Sequence, residues 1–169
     1  MCAGLASHAK IRYNKNIPTI TQGEYVMKIL AVDYGDSRTG LAVCDKTEFL
    51  ASPITPQIAE RSMGKVVDKV CEAAKAHGAE LIVLGLPRNM DGTEGSRAQK
   101  CRKLGALLEE KSGLHVRMWD ERQTTITAAG ILSANGTFGK KRKAVLDSVS
   151  ASVILENYLA WRKNHPGEE

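Results

Sequence analysis

The sequence predicts an α/β domain, a five-stranded mixed sheet with helices on both faces. Three observations carry that expectation. A nearly continuous apolar run, KILAVDY at Lys28–Tyr34, reads as a strand buried on both faces. Two more extended stretches follow it at once, joined by short turns. The apolar period then changes to the helical one, and helix-like and strand-like segments alternate toward the C-terminus.

Taken in order, the first strand, Lys28–Tyr34, turns at Gly35–Ser37 into a second, Thr39–Asp45. A third extended piece, Phe49–Ile54, is bounded by Pro53 and Pro56. From Ile58 to His77 apolar residues recur at Met63, Val66, Val67, Val70, Ala73 and Ala74, the stripe of an amphipathic helix, and Gly78 stands where a C-cap glycine belongs. Leu81–Leu84 is another buried strand, ending at Gly85-Leu86-Pro87. After the loop Arg88–Gly95 a helix is expected over Ser96–Lys111, with Gly113 beyond its end. His115–Trp119 makes a fifth strand and runs into Asp120-Glu121-Arg122. The remainder is helical, interrupted by a Gly/Lys-rich stretch at Asn135–Lys143. The order βββαβαβα is that of an RNase H-like fold.

Composition narrows the class. A chain of 169 residues with 43% apolar and 25% charged residues is about one soluble globular domain. No apolar run approaches the roughly 18 residues of a membrane span, so no membrane partner is expected. Aromatics are only 5%, which argues against base stacking as the main mode of any nucleic-acid binding. Cys2, Cys44, Cys71 and Cys101 form no C-x-x-C pair and have no histidine at metal-ligand spacing, so free thiols in a reducing cytoplasm are expected.

The net charge is +5, of which Lys10, Arg12 and Lys15 against Glu24 supply +2, leaving +3 for the rest of the chain. Clustering matters more than the total. Lys140, Lys141, Arg142 and Lys143 are consecutive, and Lys100, Arg102 and Lys103 form a second knot. Such runs suit phosphate contacts, although a solvated loop or helix face explains either one alone. Residues 1–26 show neither a secretory apolar core nor a clear period, and are expected to be a disordered extension, with Met27 an economical native start. The domain proper is expected over residues 27–163, with 164–169 as a tail.

Metal-assisted phosphodiester hydrolysis needs carboxylates that converge from different parts of a fold, and hard cations take oxygen ligands. Asp33 lies inside an otherwise apolar strand, where an ionised carboxylate needs a metal or an ion pair. Gly35, Arg38 and Gly40 complete D-x-G-x-x-R-x-G; pairing of Asp33 with Arg38 is the structural alternative. Asp120 and Glu121 end the fifth strand, and strand alternation turns them to opposite faces, so one of the two is expected to reach the site. Helix capping by Asp120 is the competing account. Asp147 is placed at the start of the last helix, where an acid also suits the dipole.

These motifs together, D33-Y-G-D-S-R38-T-G40, V83-L-G85-L-P87 with N89-M-D91-G92-T-E94-G95, D120-E121-R122-Q-T124-T125 and D147, resemble the YqgF family. Its members are described as Holliday-junction-resolvase-like proteins and candidate pre-16S rRNA nucleases. The resemblance covers about Met27 to Arg162 in matching order and spacing. It implies an RNase H-like fold, a cytoplasmic protein, and hydrolysis that matures the 5′ end of small-subunit rRNA within a ribosomal precursor particle. Carried over by motif, Asp33, Glu121 (with Asp120 as competitor) and Asp147 are the catalytic acids and the ligands of Mg²⁺ or Mn²⁺, a two-metal site being expected. Arg38 and Arg122 match the motif arginines, suited to phosphate binding or to holding the carboxylates. Asp91 and Glu94 are placed along the substrate groove, with a plain glycine turn as the alternative.

The loop Asn135–Lys143 is the expected RNA contact through Lys140, Lys141 and Arg142, with Phe138 available to stack on a base. Competing functions are a Holliday-junction resolvase acting on branched DNA and a non-catalytic ribosome-assembly factor. A sugar-kinase-like ATPase shares the first motif but needs a duplicated domain that 169 residues cannot hold. A monomer or a weak homodimer is expected.

Overall fold

The computed structural model describes residues 27–121 and 140–165, with side chains described over 27–121 and 149–165. Among these residues the elements are β1 (Ile29–Tyr34), β2 (Thr39–Cys44), β3 (Ala51–Ile58), α1 (Met63–His77), β4 (Leu81–Leu86), α2 (Ser96–Ser112), β5 (His115–Asp120) and α3 (Lys140–Asn164). The expected extension 1–26, Arg122, Phe138 and the last residues of the tail lie outside the described residues.

The sheet runs β3-β2-β1-β4-β5. Short turns return the chain antiparallel from β1 to β2 and from β2 to β3, whereas the helices carry it over to β4 and β5 in parallel with β1. Strand alternation divides the core. Leu30 and Val32 of β1 pack with Leu84, Val66, Val70, Leu104 and Leu108 beneath α1 and α2. Ile29 and Ala31 pack with Val83, Trp119, Ala151, Ile154, Leu155 and Tyr158 beneath α3. Each fully buried Val, Leu or Ile contributes about 1.5–3 kcal/mol by leaving water. Both faces of β1 are therefore covered, as its unbroken apolar run implied.

Several expected boundaries move. β3 continues to Ile58, and α1 begins only at Met63 rather than at Ile58. The two prolines do not bound the third strand: among the described residues β3 is an edge strand beside β2, where a missing N–H is tolerated. α2 and the C-cap glycines Gly78 and Gly113, both left-handed, fall where the sequence placed them.

The larger correction concerns the last helix. The basic run Lys140–Lys143 was expected in a loop, yet α3 begins at Lys140. Lysine, arginine, alanine and leucine are good helix formers, and the last glycine of the stretch, Gly139, precedes them. Asp147 is thus seven residues into α3 rather than at its start, beyond the first turn over which the helix dipole favours an acid. Among the described residues, the face of α3 packed on the sheet includes Ala151, Ile154, Leu155 and Tyr158, and Val153 is buried as well.

Candidate active site

The site lies at the carboxyl ends of β1 and β4, where central parallel strands leave a crevice for ligands. Asp33 is the fifth residue of β1, paired with Gly40 of β2, and half-buried. Val32 faces α1 and α2, so alternation turns Asp33 to the face that α3 covers. The chain must then leave β1 sharply. Gly35 donates its N–H to the Arg38 carbonyl at 3.0 Å, and a Cβ at Gly35 would stand 2.7 Å from that oxygen. The first glycine of the D-x-G-x-x-R-x-G motif is therefore needed for the turn itself.

Val32 of β1 is in register with Leu84 of β4, which sets Asp33 beside Gly85. Gly85 has a close neighbour on its α3 face. A Cβ there would collide with Glu121 Oε1 and stand 2.8 Å from Ile154 Cδ1. Glu121 thus leaves the end of β5, crosses over β4 and brings its carboxylate toward Asp33. Burial pushes the Glu121 carboxyl up to about 7, and the negative charge of Asp33 adds to the shift. Arg97 opposes it, and Asp120 contributes less than either.

Asp120 turns the other way. Its Oδ2 is 3.9 Å from Arg88 Nη1. Glu121, just past the end of β5, is the member whose carboxylate lies over Gly85, beside Asp33.

The backbone of α3 passes over the same face. Asp147 stands one helical turn before Ala151 and two before Ile154, the residue against Gly85. Its side chain lies outside the described residues, as do those of Lys140, Lys141 and Arg142. Among the described residues no three His, Cys, Asp or Glu side chains gather as a metal-binding group.

The acids of the β4–α2 loop, expected along the substrate groove, also hold the loop together. Glu94 receives Arg102 Nε at 2.6 Å and Arg102 Nη2 at 2.5 Å, and Arg88 Nη2 is 3.2 Å away. The Arg102 hydrogen bonds above all hold its carboxyl down to about 2. Asp91 Oδ1 accepts the Thr93 N–H at 2.9 Å and the Thr93 hydroxyl at 2.6 Å, an Asx turn. Arg38 is exposed in the β1–β2 turn. Arg97 was not anticipated from the sequence, since it stands apart from both basic knots; only its place in the first turn of α2, after the loop that follows β4, could have drawn attention to it.

Comparison with known proteins adds what geometry alone does not. The family model for RuvX, described as Holliday junction resolvase, matches residues 27–161. Over 133 residues the chain is 40% identical to the "Putative pre-16S rRNA nuclease" of Heliobacterium modesticaldum, covering 79% of this chain and 89% of that protein. It is 37% identical over 145 residues to the protein of the same name from Halothermothrix orenii, covering 83% of this chain and 100% of that one. Among solved structures, Thermus thermophilus RuvC in complex with a Holliday junction substrate aligns with a TM-score of 0.51, over 82% of this chain and 96% of that one. At 13% identity that likeness concerns the fold, which is the RNase H-like one expected from the element order. A match running from Met27, the first described residue, into the last turns of α3, with relatives similar over most of the same span, makes this chain a member of the RuvX family.

Proposed function

We propose that this chain is a divalent-metal-dependent nuclease that hydrolyses phosphodiester bonds near the 5′ end of precursor 16S rRNA. The observation that carries the reading is the approach of the half-buried Glu121 carboxylate to Asp33 at the carboxyl end of the central strands, over a glycine whose missing side chain makes the approach possible. Two acids held this way resist ionisation together, and an arrangement that destabilises itself needs a functional reason. The names of its relatives supply the substrate class.

The donor set fits Mg²⁺ or Mn²⁺. It is all carboxylate oxygen, the ligand type hard cations require, and a divalent charge would turn the repulsion between Asp33 and Glu121 into attraction. We assign Asp33, Glu121 and Asp147 as the ligands of a two-ion site, with Asp120 left to Arg88. Bound there, the ions would polarise the scissile phosphate and favour ionisation of the attacking water. The chain's own residues set the stage. Asp33 is held by its pairing with Gly40 of β2, the missing side chain of Gly85 lets Glu121 Oε1 approach the sheet, and Ile154 of α3 lies against the same glycine. Arg38 and Arg122, with the basic start of α3 (Lys140, Lys141 and Arg142), are assigned to the phosphates of the substrate.

A second reading, cleavage of branched DNA, is favoured by the description of the family as Holliday junction resolvase. One experiment separates the two. Wild type and Asp33→Asn are each given a precursor 16S rRNA 5′ fragment and a four-way DNA junction, with Mg²⁺, with Mn²⁺ and with EDTA. RNA cleavage that needs metal and falls at least ~100-fold in the variant is expected, since loss of a ligand should exceed the 10–100-fold effect typical of outer-shell changes. Preference for the junction would establish the resolvase instead. RNA binding without cleavage of either substrate would make the protein an assembly factor.

A further inference from the structure

We infer that Arg97 and Lys100, on the exposed edge of α2 beside the acidic site, form the rail that receives the sugar–phosphate backbone of the substrate. The inference rests on the nuclease reading and adds to it a binding surface on an element the motifs do not include. An acidic pair repels a polyanion, so cations must flank it if nucleic acid is to approach. The sequence does not tell apart the roles of the basic residues around the start of α2, but the fold sorts them. Arg88 and Arg102 hold Glu94 and rigidify the β4–α2 loop. Arg97 and Lys100, three residues apart and so neighbours on the helix surface, are both exposed.

Lys100 fixes the position of that edge. Its Nζ is 2.9 Å from Asp36 Oδ1, which joins α2 to the β1–β2 turn three residues after Asp33. Arg97, one turn closer to the start of α2, adds its positive charge to the surroundings of both Glu121 and Asp36. The Lys100–Asp36 pair is open to solvent, with side-chain exposures of 53% and 65%. A pair so exposed adds little to stability, so Lys100 can pass from Asp36 to a substrate phosphate without loosening the fold. Asp36 then acts as a stand-in anion that keeps Lys100 at the site's edge when no substrate is there.

The test is binding, measured without cleavage. A fluorescent RNA carrying the precursor 16S 5′ sequence is titrated with full-length protein in EDTA, from about 50 to 200 mM salt. Arg97→Ala and Lys100→Ala should each weaken binding several-fold at the lower salt and reduce the log–log salt slope by about 0.9, the release expected for one phosphate contact. Arg97→Lys should keep most of that slope, and Asp36→Asn should tighten binding. Lys46→Ala, in the β2–β3 turn at the opposite end of the sheet, should change nothing. Wild-type affinity and slope in both Arg97→Ala and Lys100→Ala would overturn the rail, as would an equal loss in Lys46→Ala. The two proposals fail separately. Metal-dependent cleavage with binding indifferent to Arg97 sinks the rail alone; binding that needs Arg97 in a protein that cleaves neither RNA nor DNA sinks the nuclease reading alone.

Discussion

Glu48 and Glu121 are carboxylates withdrawn from water at opposite ends of the same sheet. At the β2–β3 turn, Glu48 Oε1 accepts the Met27 N–H at 2.8 Å, and Arg162 Nε of α3 lies 3.4 Å from the other oxygen. Strand, turn and helix are joined there through one acid. The arrangement also offsets a local cost, because Glu48 has φ 54, a left-handed conformation worth roughly 1–2 kcal/mol in a residue with a Cβ. At the other end, Glu121 has a second acid, Asp33, as the foremost charge acting on it, and burial makes its proton hard to lose. One carboxylate is placed where it strengthens the fold. The other is placed where it weakens the fold unless something positive binds.

The largest expected effect is at the structural end. Glu48→Ala leaves the Arg162 guanidinium buried without this partner and should destabilise by about 3–5 kcal/mol, read as a fall in the urea midpoint. An effect under about 1 kcal/mol would remove the contrast. The folded fraction of that variant should cleave normally.

Glu121→Gln should act in the opposite direction. A carboxyl near 4.5 unfolded and about 7 folded contributes stability that is complete below pH 4.5 and lost as pH rises through 7. The metal-free wild type should therefore weaken over that window, while the glutamine variant does not. At pH 8 in EDTA the variant should be the more stable by on the order of 2–3 kcal/mol. Mg²⁺ or Mn²⁺ should then raise the melting temperature of wild type and leave that of the variant nearly unchanged. Equal pH profiles for the two proteins would contradict the account of Glu121.

Gly85→Ala sharpens the same point sterically. The added methyl collides with Glu121 Oε1 and crowds Ile154, so about 1–3 kcal/mol of stability should be lost and cleavage should fall further than the lost folded fraction explains. The smallest effect belongs to ion pairs away from both ends. Lys111→Ala breaks an exposed contact with Asp68 between α2 and α1 and should change stability by under ~1 kcal/mol, with no effect on cleavage.

Much of this was legible in local pattern. An aspartate inside KILAVDY marks itself, because apolar neighbours on both sides leave little other reason for a charge. The alternation of a strand end predicts that Asp120 and Glu121 separate, though not which goes where. The prolines of β3 misled, because their meaning depends on whether the strand lies at the edge of a sheet, and no neighbouring residue carries that information. The partners of the loop acids were not legible either: Thr93 holds Asp91, and Arg88 and Arg102 hold Glu94, only once the loop is folded against α2.

The sequence by itself determined the element types and order, the two helix-ending glycines, the tight turn at Gly35 and the family, since each depends on residues within a few positions of one another or on their spacing along the chain. Only the tertiary structure decided that the Glu121 carboxylate lies over β4, that Gly85 is bare because that carboxylate lies against it, and that Lys100 reaches Asp36 in the turn after Asp33 while Arg102 holds Glu94. Those outcomes follow from strand order and from the angle at which a helix meets a sheet. They arise from contacts between segments distant in the chain, and the free energy of such a contact depends on both partners together.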